Sequence, residues 1–155
     1  MKILLVNKYF NMHGGSETYF FGLADLLRQA GHEVIFFAMQ DEKNLPCEQS
    51  AYFVSNVEFN GKLTAAQKLK AAFRMVYSFE AKKKISALIE KEKPDIIHIN
   101  LFHRVLTASI VDAAKKHGIP VVFTMHDLNC VCPNHVMLDL SLIHISEPTR
   151  RSYIS

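Results

Sequence analysis

The amino-acid sequence predicts an α/β fold, a Rossmann-like doubly wound parallel sheet with helices on both faces. Short apolar runs alternate with segments of helical periodicity along the 155 residues. The apolar runs are almost continuous, as in strands that are buried on both faces. Polar residues follow several of these runs, at the strand ends where such sheets bind ligands.

The first elements are a strand, a helix and a second strand. The first strand is predicted at residues 2–7, KILLVN. After a loop, Ser16 is expected to cap a helix and to leave Glu17 in its positively polarised first turn. Gly31 ends the helix, and the second strand is predicted at residues 33–38. The apolar face of the helix is formed by Phe20, Leu23, Ala24, Leu27 and Ala30.

The middle of the chain is less regular. Within residues 40–62 the sequence predicts a short strand at 52–54 and a turn at 60–61. Residues 64–92 have a helical pattern that no glycine or proline interrupts. The length of this pattern predicts two helices or one bent helix, which Pro94 ends.

The last elements repeat the alternation of strand and helix. A strand is predicted at residues 95–100, a helix at 104–117 and a further strand at 120–124. The polar stretch 125–127 follows the last strand. Crossovers between parallel strands are right-handed, so the helices are expected on both faces of the sheet. The order of the strands does not follow from the sequence.

The composition indicates an ordinary globular domain, with 49% hydrophobic and 21% charged residues. No apolar run approaches the ~18–20 residues of a membrane span. The apolar segment between Lys2 and Lys8 is too short for a signal peptide, so we expect a cytoplasmic protein. The net charge of +3 is too small to predict nucleic-acid binding.

The three cysteines, Cys47, Cys130 and Cys132, are odd in number. This count disfavours a disulfide framework and agrees with reduced thiols. Cys130 and Cys132 form a CxC pair, which is half a metal site at most. A structural role is therefore favoured for both.

A double glycine, Gly14-Gly15, precedes the first helix. Two residues without side chains let the backbone approach a phosphate, and the start of a helix presents unpaired N–H groups to it. The sequence therefore predicts a diphosphate site here, with a flexible capping loop as the alternative. The GxGxxG fingerprint is absent, which disfavours a dehydrogenase.

Histidines follow two of the later strands. His126 is placed to bond a substrate hydroxyl or to transfer its proton near neutral pH, whereas Asp127 suits either a ligand contact or a turn. Asn100 and His103 lie at or beyond a strand end and are expected near the ligand crevice. His98 is expected to be structural. A metal site formed by the three histidines has no supporting spacing, so no metal is expected.

Residues 62–93 are rich in basic side chains. The ordinary interpretation is a solvated helix face. The alternative is weak peripheral contact with anionic lipid at the inner face of the membrane, because apolar and cationic residues alternate at helical spacing. The basic residues of this stretch are Lys62, Lys68, Lys70, Arg74, Lys82, Lys83, Lys84, Lys91 and Lys93.

The last sixteen residues, LSLIHISEPTRRSYIS, differ in character from the rest. LSLIHISEPTR resembles the in-frame translation of a transposon-end adapter used in preparing DNA sequencing libraries. We therefore expect residues 1–139 to be one truncated domain and residues 140–155 to be a non-native tail. A natural strand–turn ending, broken at Pro148, is the alternative.

Four pieces of sequence occur in a recognisable order along residues 1–139. They are MKILLVN, the GGSE loop, LADLLRQAGHEVIFFA, and KPDIIHIN followed by GIPVVFTMHD. In combination they resemble the N-terminal domain of GT4-type glycosyltransferases, one Rossmann-like half of a GT-B fold. The following LNCVCPNHVML resembles a branch of that family in which the HD motif leads to a CPN segment.

This resemblance implies a retaining enzyme of polysaccharide biosynthesis or a related pathway. Such an enzyme moves a sugar from a nucleotide-sugar donor to a glycan, lipid-linked or other acceptor, with no metal or other cofactor. Gly14 and Gly15 match the loop at the donor diphosphate, and His126 matches the active-site histidine. The residues that the resemblance places on the acceptor side are Asn100, His103, Asp127 and Glu17. The family's second half and its ExxxxxxxE motif are missing, so we expect this fragment to be inactive alone.

Two other hypotheses come from different classes of protein. A self-sufficient flavodoxin-like binding or regulatory module predicts a closing helix after the last strand, which the sequence does not contain. An epimerase or phosphatase-like Rossmann enzyme requires a fuller glycine fingerprint, a catalytic Tyr/Lys pair or an Asp pair, and no such spacing occurs.

Overall fold

The computed structural model describes residues 1–56 and 73–126. The chain divides into two compact units, Met1–Thr124 and Met125–Ser155, and only Met125 and His126 of the second unit are described. Several predictions lie outside the described residues. They concern the turn at 60–61, the helical pattern at 64–72, Lys62, Lys68, Lys70, Asp127, Cys130, Cys132 and the tail.

The first unit contains a sheet of four parallel strands in the order β2-β1-β3-β4. The strands are β1 (Lys2–Asn7), β2 (Glu33–Phe37), β3 (Ile96–Leu101) and β4 (Val121–Phe123). The helices are α1 (Gly15–Gln29), α2 (Phe79–Glu92) and α3 (Ser109–Lys116), with a 3₁₀ helix at Glu48–Tyr52. The predicted α/β class is confirmed.

Alternate side chains of β1 point to opposite faces of the sheet. Both faces are apolar, and helices cover both. One face packs on α1, and its core is formed by Ile3, Leu5, Phe10, Phe20, Ala24, Phe36, Ala38 and Phe53. The other face packs on α2 and α3, and its core includes Leu4, Val6, Ile85, Leu88, Ile97, Ile99, Leu106 and Ile110. The doubly wound arrangement is therefore present.

Two predicted elements were wrong in part. Residues 52–54 form no strand: a 3₁₀ helix ends at Tyr52, and Val54 makes one isolated parallel bridge to Met39. The helix predicted from residue 104 begins at Ser109. The helix begins later than predicted because of the backbone conformation before it. Arg104 (φ 72°) and Thr107 (φ 58°) adopt the left-handed conformation, which a right-handed helix does not contain.

The long helical pattern is interrupted, as its length predicted. Residues 73–76 are helical, residues 77–78 are not, and α2 then begins at Phe79. The Ser78 side chain caps α2 by accepting a hydrogen bond from the backbone N–H of Ala81. Within the described ranges, no helix is both long enough and apolar enough to cross a membrane.

Candidate functional site

The carboxyl ends of the parallel strands meet at one edge of the sheet, where such folds bind ligands. Asn7 ends β1, and Asn100 lies next to the end of β3. Both side chains are fully buried. The pairing of β1 with β3 shifts register between Val6 and Asn7, so that Asn7 pairs with Leu101. Two buried polar side chains thus lie at the carboxyl ends of the adjacent strands β1 and β3.

Asn7 connects the end of β1 to the start of α1 through Glu17. Its Nδ2 donates to Glu17 Oε1 at 3.2 Å and to the backbone oxygen of Tyr9 at 2.9 Å. Glu17 is only 2% exposed, and its Oε1 also accepts a hydrogen bond from Ser16 Oγ at 3.0 Å. These contacts hold a buried carboxylate directly behind the double glycine. The acceptor-side role assigned to Glu17 stays a prediction.

The N-terminus of α1 is formed by the double glycine itself. Gly14 is the N-cap, no side chain caps the helix, and the first backbone bond runs from Thr18 N–H to the Gly14 oxygen. The prediction that Ser16 caps this helix was therefore wrong. Ser16 is already inside the first turn, and its hydroxyl bonds Glu17 instead. The prediction that Glu17 lies in the first turn is confirmed.

The space in front of the double glycine is open. A Cβ atom on Gly15 would meet no atom within 4 Å, and one on Gly14 would lie 3.5 Å from Glu17 Oε2, an ordinary contact. Gly14 has an extended backbone (φ −167°) that any residue adopts. The fold therefore does not require glycine at these positions. What glycine adds here is access to the backbone N–H groups at the positive end of the helix.

Aromatic and cationic side chains line the loop between β1 and α1. The rings of Tyr9 and His13 stack with centroids 4.9 Å apart, and the Lys8 ammonium lies 4.7 Å from the Tyr9 ring centroid. Tyr9 is not among the residues predicted from the sequence. Its only local signal is a position two residues after a strand end, which is too common to indicate a site.

His98 lies within β3 and His103 follows it, and both are partly buried. His98 Nε2 and Thr124 Oγ1 are 2.7 Å apart, which supports the structural role expected for His98. His103 follows the strand, is partly exposed, and lies against the Phe102 ring at 4.4 Å between centroids. In the part of the chain that the structure describes, no three His, Cys, Asp or Glu side chains are grouped to hold a metal ion.

The segment after β3 is fixed by a buried hydroxyl network. Thr107 Oγ1 accepts from the backbone N–H of Ser78 at 3.0 Å and donates to Ser109 Oγ at 3.0 Å. Ser109 Oγ in turn donates to the Ser78 oxygen at 2.8 Å. A β-branched residue in the left-handed conformation persists only where its surroundings determine it, and these bonds do so. The network joins Ser78, the residue before α2, to the start of α3.

The second compact unit contributes one described candidate, His126. Its side chain is exposed, three residues after the end of β4. Asp127, the next residue, lies outside the described residues. The roles predicted for both residues stay predictions, as do those of Asn100 and His103.

Comparisons with known proteins relate the chain to one family model and to two solved structures. The family model of Glycosyltransferase Family 4 matches residues 13–150. The crystal structure of MurG from Acinetobacter baumannii is similar with a TM-score of 0.52 and 19% identity, over 81% of this chain and 35% of that chain. Glycosyltransferase VinC in complex with dTDP gives a TM-score of 0.49 and 20% identity, over 81% of this chain and 34% of that chain. The chain thus spans about a third of each structure's length. No curated protein matches it.

Proposed function

The chain belongs to Glycosyltransferase Family 4, and from this membership we propose that it is the acceptor-side, N-terminal domain of a retaining glycosyltransferase. The parent enzyme transfers a sugar from a nucleotide-sugar donor to a hydroxyl-bearing acceptor. The observation that supports this most directly is the family match over residues 13–150, which contains the double glycine, the end of β3 and His126. The match also disfavours a self-sufficient flavodoxin-like module.

The proposed donor site is the open N-terminus of α1. Backbone N–H groups that no side chain caps, at the positive end of a helix, suit the negative charge of a diphosphate. The open space in front of Gly15 is consistent with close approach. When the bond between the sugar and the diphosphate breaks, negative charge accumulates on the diphosphate. N–H donors that are already in position stabilise this charge without reorganisation. No metal and no further cofactor are required by this proposal.

The proposed active-site histidine is His126. Its imidazole can accept or donate a proton at the acceptor hydroxyl, or bond the transferred sugar. Asn100, His103, Asp127 and Glu17 are proposed to shape the acceptor side. We also propose a cytoplasmic location, with peripheral contact at the inner face of the membrane through residues 62–93.

The test uses the intact protein that contains this chain. It is incubated with a panel of nucleotide sugars and a membrane extract, and the anomeric configuration of any product is determined by NMR. We expect transfer with retained configuration, and a loss of about 10²–10⁴-fold in kcat for His126→Ala. A product of inverted configuration, or hydrolysis of the donor without transfer, would contradict the proposal.

A further inference from the structure

Lys8 is held differently from the other partly buried lysine and arginine side chains. In the part of the chain that the structure describes, each of the others pairs with a carboxylate. The pairs are Lys2 with Glu33 and Glu92, Arg74 with Glu80, Lys82 with Asp112, and Lys84 with Glu80. Among the same described residues Lys8 pairs with no carboxylate, and its ammonium lies over the Tyr9 ring. Charges removed from water are normally paired, so this one points to an anionic ligand.

His13 is a second basic side chain in the same loop. Its ring stacks on the Tyr9 ring, with the centroids 4.9 Å apart and the planes at 25°. His13 is exposed and directly precedes Gly14, the N-cap of α1. The Tyr9 ring therefore contacts both basic side chains, His13 by stacking and Lys8 by a cation–π contact.

The backbone around Tyr9 is fixed to the end of the sheet. The buried Asn7 side chain donates to the Tyr9 oxygen at 2.9 Å, and the backbone N–H of Met39 donates to the Lys8 oxygen at 3.0 Å. The Tyr9 ring also packs against the core that α2 and α3 cover. Tyr9 is thus a fixed support for two side chains that are otherwise long or exposed.

The double glycine needs positive charge beside it, because a buried carboxylate lies next to it. A Cβ atom on Gly14 would be 3.5 Å from Glu17 Oε2, and Glu17 accepts hydrogen bonds from two uncharged side chains. A carboxylate repels a diphosphate and offsets the roughly half an elementary charge at a helix N-terminus. The Lys8 ammonium supplies a full positive charge, and the His13 imidazole supplies an N–H donor.

We propose that Lys8 and His13 bind the donor diphosphate beside the double glycine, and that Tyr9 positions both of them. This inference rests on the proposed transferase function, which supplies the diphosphate. When the sugar passes to the acceptor oxygen, the acceptor hydroxyl loses its proton and the electron pair of the broken bond stays on the diphosphate. The same two side chains then bind the more negative product, through charge-assisted hydrogen bonds.

The binding residues are tested in the intact protein through the donor KM and the inhibition constant of the nucleoside diphosphate that the transfer releases. We expect Lys8→Met and His13→Ala each to raise both constants about tenfold and to leave the acceptor KM unchanged. Lys91→Met is the matched control, because the Lys91 ammonium also lies over a tyrosine ring, 5.4 Å from the centroid of Tyr52. That control is expected to change neither constant.

The positioning role of Tyr9 is tested by removing the ring or only its hydroxyl. Tyr9→Phe keeps the ring, so the donor KM should stay within about twofold of the wild type. Tyr9→Leu removes the ring and should raise the donor KM about tenfold. Tyr52→Leu is the control for lost packing, since Tyr52 packs against the same core and also has a lysine over its ring. It should lower the thermal unfolding temperature as Tyr9→Leu does, with an unchanged donor KM.

Ionic strength separates a charge that binds the donor from a side chain that only supports the loop. Salt screens the attraction between an ammonium and a diphosphate, so the wild-type donor KM is expected to rise with salt. The rise should be smaller for Lys8→Met, which has lost the charge, and equal to that of the wild type for Lys91→Met. An identical salt dependence in Lys8→Met and the wild type would show that Lys8 does not bind the diphosphate.

Failure of this inference is distinguishable from failure of the transferase function. Wild-type donor KM in Lys8→Met and His13→Ala, in a protein that transfers sugar, overturns the binding residues alone. Equal losses in Tyr9→Phe and Tyr9→Leu overturn the positioning by the ring. If the intact protein transfers no sugar, calorimetric titration with inorganic pyrophosphate decides the site. Binding that Lys8→Met and His13→Ala weaken supports the site without the function, and no binding by the wild type overturns it.

Discussion

At the residue scale, a side chain at Gly15 is expected to affect folding and anion binding differently. The structure leaves open space where its Cβ would lie, and Gly15 is the first residue of α1. Alanine therefore fits the fold at this position. A methyl group there would nevertheless stand between the helix N-terminus and the diphosphate that is proposed to bind there.

We expect Gly15→Ala to change the free energy of unfolding by less than about 1 kcal/mol and to raise the donor KM of the intact protein about tenfold. The matched control is Gly22→Ala, within α1, where a Cβ also meets no atom within 4 Å. That substitution should stabilise the helix by about 0.5–1 kcal/mol and leave the KM unchanged. Equal KM values for both variants would exclude the double glycine as the donor site.

Glu17 lies next to the double glycine in the fold. Its carboxylate is buried and accepts hydrogen bonds from Asn7 and Ser16. Glu17→Ala removes one hydrogen-bond acceptor from the buried Asn7 amide. We therefore expect the free energy of unfolding, measured with denaturant, to fall by about 1–3 kcal/mol. Asp25→Ala, on the same helix with a side chain 68% exposed, should change stability by less than about 0.5 kcal/mol. Similar losses for the two variants would show that the buried bonds contribute little.

Some of these residues were predictable from the sequence, but their hydrogen-bond partners were not. The double glycine and the acidic first turn are local patterns, so they were predictable. The bond between Asn7 and Glu17 was not, because it joins the end of a strand to a helix and depends on how the two pack. Ser16 was expected to cap α1 because serine favours that position, but Gly14 is the N-cap in the fold.

At the element scale, α2 is joined to the segment after β2 by an ionic cluster around Glu80. Burial raises the pKa of the Glu80 carboxyl, but hydrogen bonds from the Ser55 hydroxyl and backbone and from Lys84, with the charge of Arg74, outweigh it. The pKa of Glu80 is therefore below its ordinary value of 4.5. The charged form of the Glu80 carboxylate therefore stabilises the contact between α2 and the segment after β2.

The sign of the pH dependence follows from this direction. A carboxyl group whose pKa is lowered by folding contributes stability above its unfolded pKa and loses it as the pH falls through the folded pKa. We expect Glu80→Gln to be less stable than the wild type at neutral pH, with the difference shrinking as the solution is acidified. Urea unfolding over a pH series measures this difference. Glu90→Gln on the same helix, at a side chain 69% exposed, should show no such trend.

Element boundaries were predictable where glycine or proline defines them. Gly31 (φ 82°) follows α1 as expected, and Gly118 (φ 68°) follows α3 in the same way. The start of α3 was predicted too early because its left-handed residues, Arg104 and Thr107, are not glycines and give no local signal. Thr107 holds that conformation through bonds to Ser78, 29 positions away, which no window of sequence reveals.

At the scale of the whole molecule, the fold class was predictable because the alternation of apolar runs and helical patterns is repeated along the chain. The strand order was not, since all the parallel strands have similar apolar sequences and nothing local selects their neighbours. The family match extends over residues 140–150, the stretch expected to be foreign. That expectation stays a prediction, and the genomic reading frame past Asp139 tests it directly.

The remaining prediction concerns what this chain does by itself. It covers 35% of the MurG chain to which its fold is similar, and its proposed donor site is one open helix end. Charge on a leaving diphosphate has to be met by donors on several sides, which a single helix N-terminus does not provide. We therefore expect residues 1–155 to transfer no sugar from any nucleotide sugar, while the intact protein does. Sensitive detection of released nucleotide compares the two, and turnover by the chain alone would refute the division of the site between two domains.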